Sequence, residues 1–238
     1  MCLWFFSAAV AYFIKGLAGF ANTLVFTTIL SFGTSNANIS PIDLLLGYPS
    51  NLILTYKNRK KLDPAVYLPL SALVLAGSIP GALLLKNVDI RAIKLVFGIV
   101  VVLLGSEMLF LEYSKNQVRS SKPVLAIIGV TAGMLCGLFG VGALLAAYVS
   151  RVTNGSDSFK ANISAVFIAD NTFRIILYRM LGLLTWGTVK SALLLFPFTF
   201  LGLFAGMKCS SSLNENAVRR ITSILLVISG ISLILKNP

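Results

Sequence analysis

Apolar segments long enough to cross a lipid bilayer recur along the whole chain, separated by short connections that carry most of the charge. A helix needs about 20 mainly apolar residues to span the hydrocarbon core. Such segments leave few folds open, because in lipid every backbone polar group must be satisfied within the protein. The sequence therefore predicts an all-α polytopic membrane protein that crosses a plasma (inner) membrane several times.

Charge and composition exclude several other classes of protein. The chain of 238 residues has a net charge of +12, but its basic residues cluster in the connections. Basic residues in such loops are typical of membrane proteins, where they orient the helices. We therefore expect a lipid bilayer as partner and no nucleic acid. The chain has no histidine, no H-E-x-x-H or G-x-S-x-G motif, and three cysteines at unrelated spacings. These absences argue against an enzyme and against a metal or cofactor site.

The second half of the chain repeats the pattern of the first. Small residues recur at one constant offset in the two halves: Gly77, Gly81, Ala92 and Gly105 match Gly202, Gly206, Ala217 and Gly230. We predict two homologous repeats, residues 1–114 and 122–238, joined by a polar linker at 115–121. Each repeat opens with a glycine-broken or hairpin segment and continues with three transmembrane helices.

The conformation of the first segment, residues 2–32, decides how the two repeats are related. One kinked span would divide the basic connection residues evenly between the two sides of the membrane. A re-entrant hairpin or two short spans would instead place most of them on one side, which the positive-inside rule favours. That topology makes the repeats inverted, with the 57–64 loop and the 113–121 linker in the cytoplasm and both termini outside.

Glycine-rich breaks interrupt the first segment of each repeat, in GLAGFAN (16–22) and GLFGVGA (137–143). A break in a membrane helix exposes backbone amides and the positive end of a helix dipole, which attract anions. We predict that both breaks contribute to a central substrate site. The glycines proposed for it are Gly16, Gly19, Gly137, Gly140 and Gly142. The alternative is that these glycines only allow helices to pack closely.

Polar side chains within the apolar segments extend this candidate substrate site. Lys15 precedes the first break, where it either adds positive charge to the site or extends to the lipid headgroups. Asn22 and Thr23 follow the same break. Asn51 and Asn171 offer amide groups in later segments of the two repeats.

Asp170 and Arg174 lie four residues apart and therefore on one face of a predicted helix. They either neutralise each other as a structural ion pair or serve transport, with Asp170 as a proton-coupling residue and Arg174 as an anion ligand. The other aspartates lie at connections or helix starts, where capping and solvation account for them. These are Asp43, Asp63, Asp89 and Asp157.

Two glycine breaks, each opening a repeat of four segments in a short chain with basic loops, resemble the TauE/SafE family of sulfite exporters. GSIPGALL (77–84) and FLGLFAGMK (200–208) are similar to the third-segment pattern of that family. The resemblance implies a secondary transporter of small sulfur-containing or organic anions, such as sulfite or sulfonates. It would give alternating access to one central site and couple transport to protons.

Two other classes of membrane protein stay open at the level of sequence. An anion channel would also line its path with polar helix breaks, and a non-transporting scaffold would use the glycines for packing alone. The sequence leaves open which anion is carried, the direction of transport, the coupling ion and the oligomeric state, a homodimer included.

Overall fold

A computed structural model describes residues 2–31, 39–84, 122–139 and 142–235, together with single helical positions between 95 and 109. The predicted linker at 115–121, most of the last predicted helix of the first repeat, Asp89 and Gly140 lie outside the described residues. The predicted all-α class is confirmed, because the described chain is helical throughout and contains no strand.

The helices follow the order of the predicted segments. The first half contains α1 (Cys2–Ala18), α2 (Asn22–Ser31), α3 (Ile39–Lys57), a 3-10 turn (Arg59–Lys61) and α4 (Pro64–Leu84). The second half contains α5 (Lys122–Phe139), α6 (Ala143–Val152), α7 (Ser156–Met180), α8 (Trp186–Ser212) and α9 (Glu215–Leu235). In each half, a helix, a break and a second short helix come first.

Among the described residues, α8 is the one helix both long and apolar enough to cross a membrane by itself. Its outer face carries large apolar side chains, with Leu201 69% and Phe204 54% exposed. A contiguous apolar surface of this kind is a liability in water, whereas lipid tails would cover it. The surface of α8 therefore agrees with the membrane location that hydropathy predicts.

The most extensive helix pairs join the two halves of the chain. Helix α1 packs along α8, α4 packs along α5, and α3 packs against α7. Glycines bring the first two pairs close together. A Cβ atom on Gly206 of α8 would overlap the carbonyl oxygen of Phe13, and one on Gly133 of α5 would overlap that of Val74. Small residues thus permit close backbone contact, as in other membrane helix pairs.

The first break begins later than the glycine pattern predicts. Helix α1 continues through Gly16 to Ala18, and α2 starts at Asn22, so Gly19 to Ala21 form the interruption. Gly19 (φ +88°) and Ala21 (φ +71°) both lie in the left-handed region, which turns the chain between the helices. Gly16 instead packs at the α1–α8 contact, where a Cβ would meet the backbone of Leu203.

Gly19→Ala should destabilise the protein by about 1–2 kcal/mol from backbone conformation alone, because φ is positive there. The variant should lose further stability through a steric contact, because the added Cβ atom would lie 2.8 Å from Cγ of Lys160. Gly182→Ala is the matched control: φ is +71° and nothing lies within 4 Å. Thermal unfolding in detergent should show a larger loss for Gly19→Ala, and equal losses would contradict the contact with Lys160.

Candidate functional site

A network of buried polar side chains surrounds the first break. Asp43 of α3 accepts hydrogen bonds from the Tyr12 hydroxyl at 3.0 Å, the Asn22 amide at 3.1 Å and the Thr23 hydroxyl at 2.5 Å. Lys15 Nζ donates to Asn22 Oδ1 at 3.1 Å. One carboxylate therefore ties together α1, the start of α2 and α3.

Lys15 lies inside the protein, not at the lipid headgroups. The residue is 1% exposed, and its ammonium lies 5.6 Å from the centre of the Tyr12 ring. The alternative in which Lys15 extends to the membrane surface is therefore wrong. Asn22 bridges the buried ammonium and the Asp43 carboxylate, and opposite charges so placed offset part of the cost of removing each from water.

The position of Asp43 corrects the interpretation drawn from the sequence, in which capping and solvation accounted for this residue. It is 4% exposed, and side chains bind both carboxylate oxygens. Asp63 does cap α4, accepting from the Ala65 amide at 2.9 Å, and Asp157 lies in the first turn of α7. The available signal was the position of Asp43 inside an apolar segment, where an acid needs buried partners. Tyr12 gave no comparable signal, because aromatic residues are common in such segments.

A second polar cluster links α7 to α3 and α4. Asp170 Oδ1 accepts a hydrogen bond from the Ser78 hydroxyl at 2.6 Å. Arg174 Nη2 donates to the Tyr178 hydroxyl at 2.8 Å and to the Ser40 hydroxyl at 3.2 Å. Hydroxyl groups therefore bind the two charged side chains directly, while Asp170 and Arg174 stay within electrostatic range of each other.

The second break lies beside this second cluster. Cys136, which precedes Gly137 near the end of α5, is buried and within electrostatic range of Asp170 and Arg174. Gly142 precedes α6, and a Cβ atom there would overlap the ring of Phe167 on α7. Gly142 therefore brings the start of α6 against α7.

Gly47 of α3 is the point at which polar groups of the two halves converge. A Cβ atom built there would lie 3.6 Å from the Tyr12 hydroxyl and 3.7 Å from the amide nitrogens of both Asn22 and Asn171. Asn171 is 8% exposed, and its side chain makes no hydrogen bond within the described structure. The Asn171 amide therefore lies close to the first network across the position that a side chain at Gly47 would fill, and the Asn22 amide on the other side already donates to Asp43.

Buried polar groups without a partner lie near this space. Asn51 is one helical turn beyond Gly47 on the same face of α3. It is 1% exposed, and its Oδ1 has no hydrogen-bond partner among the described residues. Arg174 Nε, in the second cluster, also has no partner among the described residues. A buried polar atom left unpaired costs about 1–3 kcal/mol. An anion would satisfy the Arg174 donor, whereas the Asn51 oxygen is an acceptor and needs a donor.

The structure thus brings together Lys15, Asn22, Thr23 and Asn171, and it places Gly19 at the turn that leads into this group. Gly16 and Gly137 lie within helices. Within the described ranges, no group of three or more side chains suited to a metal ion occurs. The site accordingly combines hydrogen-bond donors and a buried ammonium, groups that suit an anion, with the Asp43 carboxylate that balances the ammonium.

Comparison with protein families gives one finding that bears on this site. A family model described as "Sulfite exporter TauE/SafE" matches residues 4–233. Comparisons with curated proteins and with solved structures gave no match. The family match includes both breaks, both polar clusters and Gly47.

Proposed function

Because this chain belongs to the sulfite exporter TauE/SafE family, we propose that it is a secondary transporter of small sulfur-containing or organic anions such as sulfite or a sulfonate. The family consists of membrane transporters and not of enzymes, so a membrane location and a transport role follow from membership. The identity of the anion, the mechanism and the coupling to protons belong to the proposal.

The convergence of Asn22 and Asn171 on Gly47 is the observation that carries this proposal. Sulfite and sulfonate oxygens accept several hydrogen bonds, and hydrogen bonds to a charged group are stronger than neutral ones. Lys15, bonded to Asn22, adds a positive charge without crowding the space. Glycine at position 47 leaves this space free of any side chain, and the polar face continues to Asn51.

The N-terminus of α2 adds to the positive potential around this space. Helix α2 starts at Asn22, so its unpaired backbone amides and the positive end of its dipole lie at the first break. We assign the corresponding role in the second half to the break that contains Gly140 and Gly142. Asp170, adjacent to Asn171, is our candidate for proton coupling.

We further propose that the halves are inverted repeats that give alternating access to the space at Gly47. The helix packing supports this. If α1 corresponds to α5, α3 to α7 and α4 to α8, exchanging the two halves turns the α1–α8 pair into the α4–α5 pair. The same exchange leaves the α3–α7 pair unchanged. A twofold relation between the halves would produce this exchange. The basic residues of the connections favour a cytoplasmic 57–64 loop, which is part of the proposal.

Gly47→Ala separates binding from folding. The added methyl group meets its neighbours at ordinary contact distance, 3.6–3.7 Å, and alanine in a helix is favoured over glycine by roughly 0.5–1 kcal/mol. We expect unchanged or slightly higher thermal stability. Sulfite affinity should fall by about tenfold or more, because the methyl occupies the space where hydrogen bonds to the anion would form.

The measurement is a thermal shift of purified protein with sulfite, sulfate and methanesulfonate, since a ligand of the folded state raises its melting temperature. Asn171→Leu, which keeps the branched shape but removes the donors, should lose the shift as well. Thr172→Val, at the exposed neighbouring position, serves as control. If both Gly47→Ala and Asn171→Leu bind the anions as the native protein does, the proposed site at Gly47 is refuted. Sulfite flux into proteoliposomes that stays linear with concentration would indicate a channel.

A further inference from the structure

A cavity of about 490 Å³ lies where α3 and α8 end and α7 begins, away from the space at Gly47. Lys57, Asp157, Lys160 and Ser210 contribute polar groups to its wall, and Met207 contributes an apolar surface. A cavity of this size is large enough for a small oxyanion with part of its water shell.

Lys160 connects this cavity to the first break. The residue is 4% exposed, and its Cγ lies against the backbone of Gly19, where a Cβ would be 2.8 Å away. Its ammonium donates a hydrogen bond to the Ser210 hydroxyl in the cavity wall. On the α8 side, the backbone nitrogen of Met207 lies against Gly16 in the same way. The cavity lining therefore contacts the end of α1 and the start of the turn into the anion site.

The charges around the cavity are mostly positive. Lys57, Lys160 and Asp157 all line it, and the basic turn Arg59–Lys61 packs against the start of α7. Asn162 holds that turn in place, because its amide donates to the Lys61 carbonyl at 3.3 Å and its Oδ1 accepts from the Asp63 amide at 2.9 Å. A concave surface with excess positive charge raises the local concentration of anions.

We propose that this cavity is a second anion site, which captures small oxyanions such as sulfite or sulfate before they pass the first break. Lys160 binds the anion there, and Ser210 orients the ammonium when the site is empty. This inference rests on the proposed transport function, but it assigns a separate set of residues. An anion in the cavity interacts with Lys160 and Lys57, whereas an anion at Gly47 interacts with Asn22 and Asn171.

Lys160→Gln tests this role, with initial rates of labelled sulfite uptake into proteoliposomes as the readout. We expect KM to rise by about tenfold, as for loss of one hydrogen bond to a charged group, with a smaller change in the maximal rate. Lys160→Arg should stay within about twofold of the native KM, because it retains the charge. Lys190→Gln, at an exposed lysine near the opposite end of α8, is the matched control.

A labelling experiment keeps the test valid if Lys160→Gln does not fold. Ser210→Cys is made with Cys2 and Cys209, both exposed, replaced by serine. An anionic thiosulfonate reagent should then react with residue 210 about tenfold faster than a cationic one of similar size, because the cavity attracts anions. Sulfate should slow the anionic reagent. Sulfate is chosen over sulfite because sulfite consumes thiosulfonates.

The outcomes separate this inference from the proposed function. If the native protein transports none of sulfite, sulfate and methanesulfonate, the proposed function fails. If the native protein transports one of them, and Lys160→Gln has a native KM for it or residue 210 reacts equally with both reagents, the second site alone is refuted.

Discussion

Replacing Asp43 with alanine should abolish sulfite transport and cause one of the largest losses of stability of any single side-chain change in this protein. The variant leaves the Lys15 ammonium buried without its carboxylate, and it removes the acceptor of Tyr12, Asn22 and Thr23. Breaking a buried charge pair by deleting one partner typically costs about 3–5 kcal/mol. Thermal unfolding of detergent-purified protein, together with sulfite uptake into proteoliposomes, measures both effects.

A double variant distinguishes charge balance from a direct role in transport. Lys15→Met with Asp43→Asn removes both charges, and replacing a buried ion pair by neutral groups is often close to neutral in stability. We expect the double variant to regain most of the lost stability but not sulfite transport, because the site has lost its positive charge. Asp63→Asn is the control, since asparagine also caps helices.

Two results would contradict this account of the first network. If the double variant is no more stable than Asp43→Ala, the two charges do not balance each other. If it transports sulfite as the native protein does, Lys15 is no part of the anion site, and the donors at Gly47 must suffice by themselves.

Hydropathy predicts the fold class well because the bilayer permits few backbone arrangements. The limits of the breaks could not be predicted in the same way. Gly16 and Gly19 look alike in sequence, yet Gly16 packs on the backbone of Leu203 and Gly19 turns the chain with φ +88°. Which role a glycine takes depends on the helix that packs against it, and α8 lies far along the sequence.

The polar residues show the same limit. Lys15, Asn22 and Asn171 could be identified because polar groups are costly in apolar segments and need partners. The partners themselves come from other helices. Spacing alone placed Asp170 and Arg174 on one helix face, but it could not show that Ser78 of α4 and Ser40 of α3 bind these groups. Local periodicity specifies which side chains share a face, and tertiary packing decides their contacts.

Gly206→Leu should prevent folding, because the side chain would have to enter the backbone contact between α8 and α1. A Cβ atom at position 206 already overlaps the Phe13 carbonyl oxygen and lies 3.0 Å from the Leu17 amide nitrogen. Backbone atoms cannot move aside as the end of a side chain can. Even Gly206→Ala should destabilise the protein by about 1–3 kcal/mol or more, as expected for overpacking. Thermal unfolding and recovery of monodisperse protein in detergent report the loss.

Gly187→Ala is the matched control in the same helix, since the nearest atom to its Cβ is Thr185 Oγ1 at 3.7 Å. The repeat offset matches Gly202 of α8 with Gly77 of α4, and a Cβ atom would overlap the Ala9 carbonyl oxygen at position 202 and the Val130 carbonyl oxygen at position 77. If the halves are equivalent, Gly77→Ala and Gly202→Ala should cost similar free energies of unfolding. If Gly206→Ala were as stable as the native protein, α1 and α8 would not pack through this glycine. A large loss for Gly202→Ala with none for Gly77→Ala would instead contradict the equivalence of the two pairs, on which the inverted-repeat proposal depends.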